Sequence, residues 1–308
     1  MTTFRNQIKT VLLLGALSAL VIGIGGLVAP GHLYLFGALA LLMNLGAYLF
    51  SDRIVLRMHR AQEVRPAQAP ELHSMVAELS ARAAIPKPRV FLIPDPQPNA
   101  FATGRNPAHG VVAVTEGILR TLDRRELRGV IAHEIAHIRN RDILVSSVAA
   151  AGASLISWVA NALSFGALFG GSSNRDDEGA SPAGGLLVAL VAPLAATLIQ
   201  LGISRSREYM ADATGAELSG DPEALASALI RLQQAAEIVP AAEGATPATA
   251  SLFIVNPFGG VEGLSHWFST HPSTAERVRR LRELARTMAR RGPGVRTGPW
   301  GLRSAGGF

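Results

Sequence analysis

No cysteine occurs among the 308 residues. Disulfides, thiolate metal ligands and a cysteine nucleophile are therefore excluded together, and the absence fits a catalytic domain in a reducing compartment. Charge is scarce too. Only 17% of residues are charged while 48% are apolar, and soluble domains usually carry about a quarter charged residues. Membrane segments are thus the first feature to seek. Lysine is nearly absent, so the net charge of +6 rests almost wholly on arginine. Such a surplus fits nucleic acid or anionic lipid headgroups, and the positions of the arginines decide between them.

Four apolar stretches stand out: Val11 to Val28, Leu33 to Phe50, Ile143 to about Phe169, and Leu186 to Ile203. None holds a charged residue, and each approaches the ~20 residues needed to cross a bilayer. The arginines cluster at their ends. Arg5 and Lys9 precede the first, Arg53, Arg57, Arg60 and Arg65 follow the second, Arg139 and Arg141 precede the third, and Arg205 and Arg207 follow the fourth. The turn at Pro30–His32 has no Lys or Arg. By the positive-inside rule both termini and the 51–142 segment face the cytoplasm. The same arginines read as headgroup contacts, so a lipid bilayer is the expected partner and nucleic acid is not.

This divides the chain into a transmembrane hairpin at 1–52, a cytoplasmic catalytic part at 53–142, a second hairpin at 143–204, a second cytoplasmic part at 205–290, and a Gly- and Arg-rich disordered tail at 291–308. The cytoplasmic parts read as mixed. Pro70–Ala84 is a predicted helix with Leu72, Val76 and Leu79 on one face. Arg89–Ile93 and Val111–Thr115 are predicted strands. Asp221 followed by Pro222 starts a helix running to about Glu237, and Pro240–Gly263 reads as loop. The expected fold is mostly helical with a small sheet.

The chemistry is concentrated in His133-Glu134-Ile135-Ala136-His137. On a helix, residues four apart share a face, so two imidazoles can reach one tetrahedral Zn²⁺. Glu134 projects beside them, where it can take a proton from water. The helix has its own support: Asp123 and Glu126 form a capping-box pattern, and Leu127, Val130 and Ile131 give it an apolar face. A catalytic zinc wants a third protein ligand, and the candidates are Glu208 and the remaining histidines. His137 lies six residues before the third stretch and Glu208 five after the fourth, so both sit within about 10 Å of one membrane face. Asp212 follows Glu208 at i+4 and can hold a ligand histidine by its free ring N–H.

These residues resemble the HtpX-type membrane metalloproteases, relatives of the CAAX prenyl proteases. The matching pieces are NAFATG at Asn99–Gly104, AVTEGIL at Ala113–Leu119, HEIAHIRNRD at His133–Asp142, SREYMAD at Ser206–Asp212 and STHPSTAERVRRL at Ser269–Leu281. The resemblance implies an α+β, gluzincin-like domain set in a helical membrane protein. It implies one zinc per subunit held by His133, His137 and Glu208, with Glu134 as base. It further implies a bacterial inner-membrane protease of the stress response, facing the cytoplasm, whose substrates are unfolded or membrane-embedded proteins.

Several assignments stay open at this stage. Backbone from Asn99, Ala100, Phe101 and Ala102, or from the strand near Val111–Val114, can take an extended substrate by strand addition. His271 is a candidate oxyanion stabiliser. Arg205 and Arg207 are candidates for substrate or headgroup contact, and Asp142 for a structural pairing with an arginine. Three rivals remain. An intramembrane-cleaving protease would place the motif inside an apolar stretch, whereas here it lies among arginines. A CAAX prenyl protease would have more membrane spans. A non-catalytic adaptor would have lost Glu134 or a ligand.

Overall fold

The computed structural model describes residues 30–148, 205–239, 252–255 and 272–291, together with part of 8–26. Most of the third apolar stretch, all of the fourth, His271 and the tail after Arg291 lie outside the described residues.

Helix α1 (Leu33–Met58) has 26 residues, about 39 Å at ~1.5 Å each. That exceeds the ~30 Å of bilayer hydrocarbon. Leu35, Leu39, Leu42, Leu45 and Tyr48 stand exposed along it, and it is the one described helix long and apolar enough to cross a membrane. The described part of the first apolar stretch is helical as well. Asn44 of α1 joins the two, donating to Ser18 Oγ at 2.6 Å and to the Leu14 carbonyl at 3.0 Å. Between apolar helices such polar contacts supply attraction that lipid-like faces lack.

The helix does not stop near residue 52. It runs on to Met58, and its last turns bury Val55 and Leu56. What they cover is a four-stranded sheet in the order β1-β2-β4-β3, made of β1 (Gln62–Glu63), β2 (Arg89–Ile93), β3 (Ala100–Thr103) and β4 (Val111–Thr115). β2 and β4 are parallel, with Arg89 opposite Val111, while β3 runs antiparallel to β4 with Ala100 opposite Val114. The two-residue period sends alternate side chains to opposite faces. Phe91, Ile93, Phe101, Val111 and Ala113 pack with Val55 and Leu56. Val90, Ala100, Ala102, Val112 and Val114 pack into a larger core shared with the helices.

Those helices are α2 (Pro70–Arg82), α3 (Glu116–Thr121), α4 (Arg124–Asn140), α5 (Arg205–Ser219), α6 (Pro222–Ile238) and α7 (Thr274–Arg291). α2 ends two residues short of the predicted Ala84 because Ala84 turns left-handed, at φ 54°. The predicted capping box on α4 is present: Asp123 accepts from the Glu126 N–H at 2.8 Å, and Glu126 accepts from the Asp123 N–H at 3.1 Å. Asp221 caps α6 by accepting from Ala224 at 3.1 Å, and pairs with Arg125 of α4. Arg128 grips Glu78 of α2 with two bonds of 2.7 and 2.9 Å. α4 is thereby held on both flanks, at the centre of the helical layer.

Candidate active site

Helix α4 carries His133, Glu134 and His137, and α5 carries Glu208 and Asp212. The two helices meet closely because Gly215, seven residues after Glu208, has no side chain. A Cβ there would lie 2.8 Å from the His133 nitrogen. Glu208, Asp212 and Gly215 fall at i, i+4 and i+7, one stripe of the helix, and that stripe faces α4.

The ligand geometry follows. The Nε2 atoms of His133 and His137 are 3.0 Å apart, with their rings edge to face. Glu208 places one carboxylate oxygen 3.7 Å from His133 Nε2 and the other 3.6 Å from His137 Nε2. Ligands about 2.0–2.1 Å from a tetrahedral zinc would be separated by roughly 3.3 Å, so the three side chains fit one ion. No other group among the described residues brings three such donors together.

The far side of each imidazole supports the same conclusion. His133 Nδ1 is 3.0 Å from Asp212 Oδ1, and His137 Nδ1 is 3.1 Å from Asp142 Oδ2. A carboxylate at Nδ1 fixes the proton there and leaves Nε2 as a bare lone pair. Two such lone pairs and a carboxylate oxygen converging on one point repel unless a cation lies between them. A proton can play that part: although burial lowers the pKa of His137, Asp142, Glu208 and Glu134 outweigh it and hold the group at about 10.

Asp142 is thus paired with a ligand histidine, His137. Arg141 ends α4 in the left-handed conformation, with φ 57° and ψ 35°, and this folds Asp142 back beneath His137. Asp212 in turn is fixed by Arg277 of α7, which donates to it at 2.8 and 2.7 Å. Burial opposes ionisation of Asp212, but Arg277 prevails and brings its pKa down to about 2. Arg277 is 1% exposed, and sequence reasoning gave it no role. A signal was available, since it lies four residues before Leu281 and seven before Leu284, on the apolar face of α7.

Glu134 is 4% exposed. Burial pushes its carboxyl up and Glu208 adds to this, while His133, His137 and the Ala102 backbone N–H pull it down. That last contact puts β3 against the site. Among the described residues β4 is paired on both sides, by β2 and β3, so β3 presents a free edge towards the cleft. Asn99, Ala100 and Phe101 are all buried, at 2%, 1% and 3% exposure. The Asn99 carboxamide bonds to the chain's own backbone at Leu252 and Ile254. Arg205 opens α5. Arg207 is 4% exposed, next to Glu208 in sequence.

The sequence matches peptidase family M48 over residues 66–285. A protein described as a protease HtpX homolog, from Syntrophobacter fumaroxidans, is 54% identical over 282 residues, covering 91% of this chain and 99% of its own length. Another, from Ralstonia pickettii, is 52% identical over 286 residues, covering 92% and 98%. Among solved structures, the crystal structure of S. mikatae Ste24p aligns with a TM-score of 0.48 and 23% identity, over 91% of this chain and 66% of that one.

Proposed function

The chain belongs to peptidase family M48, grouped with its HtpX homologues, and we propose that it is a zinc-dependent endopeptidase held in the bacterial inner membrane. The observation that carries this reading is the convergence of His133, His137 and Glu208, with Glu134 beside them. All three ligands are neutral imidazole or carboxylate, a donor set that suits Zn²⁺, and each imidazole has a carboxylate behind it.

Zinc held by His133, His137 and Glu208 would supply Lewis acidity to a scissile carbonyl and to water, whose pKa would fall towards ~7. Glu134 accepts the proton of the attacking water and passes it to the leaving amine. Its buried setting keeps a carboxylate basic enough for that transfer. The free edge of β3 binds the substrate as an added strand, which selects extended, unfolded polypeptide. A gluzincin-type arrangement, with the third ligand on a second helix, accounts for why Glu208 stands on α5. With both halves of the site close to apolar stretches, and arginines on the same side, the natural substrates are misfolded or damaged membrane proteins, cut at the cytoplasmic face. The buried packing of the HEIAH helix against a sheet favours this over cleavage inside the bilayer.

The decisive variant is Glu134→Gln. Zinc stoichiometry is expected to stay at one while cleavage of an unfolded protein stops; wild-type turnover in this variant sinks the mechanism. Glu208→Ala is expected to lower zinc content, and unchanged metal binding would point to a different third ligand.

A further inference from the structure

The cleft that holds the metal ligands also holds a piece of the chain itself. Leu252, Phe253 and Ile254 are each 4% exposed, and they line the same cavity as Ala100, Phe101, His133, Glu134 and Glu208. Leu252 carries a 3-10 turn, and Phe253 and Ile254 belong to no helix or strand. We propose that Leu252–Ile254 is an internal strap that occupies the substrate's place beside β3 and must be displaced before a polypeptide reaches the metal ligands. The proposal rests on the reading of this site as a protease centre.

The grip on the strap is what points to it. Asn99 donates from Nδ2 to the Leu252 carbonyl at 3.2 Å, and its Oδ1 accepts from the Ile254 N–H at 3.2 Å. One carbonyl, and the N–H two residues further on, is the pair that a neighbouring parallel strand takes. A carboxamide has the donor and acceptor of a peptide group, so Asn99 treats Phe253 as a strand would. The Arg277 guanidinium completes the hold, donating to the Ile254 carbonyl at 3.0 Å. These bonds reach backbone atoms, so they recognise extended polypeptide of any sequence. Side chains add little that is specific: Phe253 rests on the His59 ring, with centroids 6.3 Å apart, and His59 rests on Phe101 at 5.3 Å. Three hydrogen bonds from two side chains are not a full ladder, so a longer strand added along β3 can compete. The same Arg277 holds Asp212 behind His133, so the strap and the metal site share an anchor.

Because the chain has no cysteine, Phe253→Cys creates a single thiol. In the full-length, detergent-solubilised protein that also carries Glu134→Gln, a water-soluble maleimide is expected to alkylate this thiol slowly. Saturation with reduced, carboxymethylated lactalbumin, a permanently unfolded protein, is expected to speed alkylation severalfold. An unchanged or slower rate overturns the strap and makes residues 252–254 a fixed wall of the cleft. Independently, Leu252→Gly with Phe253→Gly should raise kcat/KM for the same unfolded protein severalfold, through a lower KM; a fall in kcat/KM with zinc content intact is equally fatal to the proposal. If the Glu134→Gln protein itself cleaves, or the wild type binds no zinc, the protease reading is what fails, and the alkylation result is unaffected by it.

Discussion

At the scale of single residues, the site is organised by where protons sit. Asp212 and Asp142 each face the Nδ1 atom of one histidine, so Nε2 of each is turned towards the metal position. The surrounding carboxylates hold His137 at a pKa of about 10 without a metal, above its ordinary 6.5. Between pH 6.5 and about 10, His137 keeps a proton that an ordinary histidine has lost, and a metal ligand must give it up. Zinc binding at pH 8 should therefore release about one proton from His137, and the release should fade as pH passes about 10. Titration calorimetry in two buffers of different ionisation enthalpy measures this; equal heats in both would contradict it. The two histidines and Glu134 were legible as a motif, because helical spacing alone puts them together. Asp142 was not, because it reaches His137 only through the left-handed turn at Arg141. Arg277 was missed for a related reason: its partner Asp212 is 65 positions away.

At the scale of elements, the candidate metal site forms where α4 and α5 cross. Gly215 permits that crossing, since any Cβ would press on the backbone of Ala132 and His133. On the opposite flank Gly129 of α4 admits Leu225 of α6 in the same way, with a Cβ only 2.9 Å from its nitrogen. Overpacking of this kind typically costs about 1–3 kcal/mol. Gly215→Ala should lower stability by about that much and push Glu208 and Asp212 away from His133. Zinc affinity should fall by about tenfold or more, as when outer-shell partners are lost. Thermal melting and competition with a chelator test the two effects; a variant with wild-type melting and affinity would show that the helices can separate without disturbing the ligands. The strands divide similarly. β2 and β4 carry β-branched runs and were readable. β1 has two residues, and β3 is the stretch Ala-Phe-Ala-Thr, too little pattern to mark as strand without the partner that pairs with it.

At the scale of the whole molecule, α1 has two jobs. Its upper turns expose large apolar side chains everywhere but on the face of Ala40, Asn44 and Ala47, as a lipid-facing helix does, while its last turns form one wall of the catalytic unit. Val55 is fully buried among Phe91, Phe101 and Val111. Val55→Asp places an unpaired charge there and should destabilise the protein by about 3 kcal/mol or more. Leu42→Asn changes a residue that is 66% exposed and should leave melting in detergent nearly unchanged. Equal losses in the two variants would mean that α1 is not a shared wall. The chain boundary placed near residue 52 from composition marks where the apolar run ends. It does not mark where the helix or its packing ends.

The amino-acid sequence by itself determined the ingredients: four apolar stretches with arginines at their ends, the HEIAH helix with its cap, and a downstream Glu and Asp at helical spacing. These depend on contacts within a few residues, so local pattern records them. Only the tertiary structure decided how they meet. It set which strand keeps a free edge, which carboxylate stands behind each histidine, that a buried arginine joins the metal site to residues 252–254, and that those residues lie in the cleft. Each of these is a contact between distant positions, made specific by the shape of the packed core, and no local periodicity encodes it. The absence of cysteine gains a further use from the fold: it leaves the protein free of thiols, so a single introduced cysteine can report on the proposed strap.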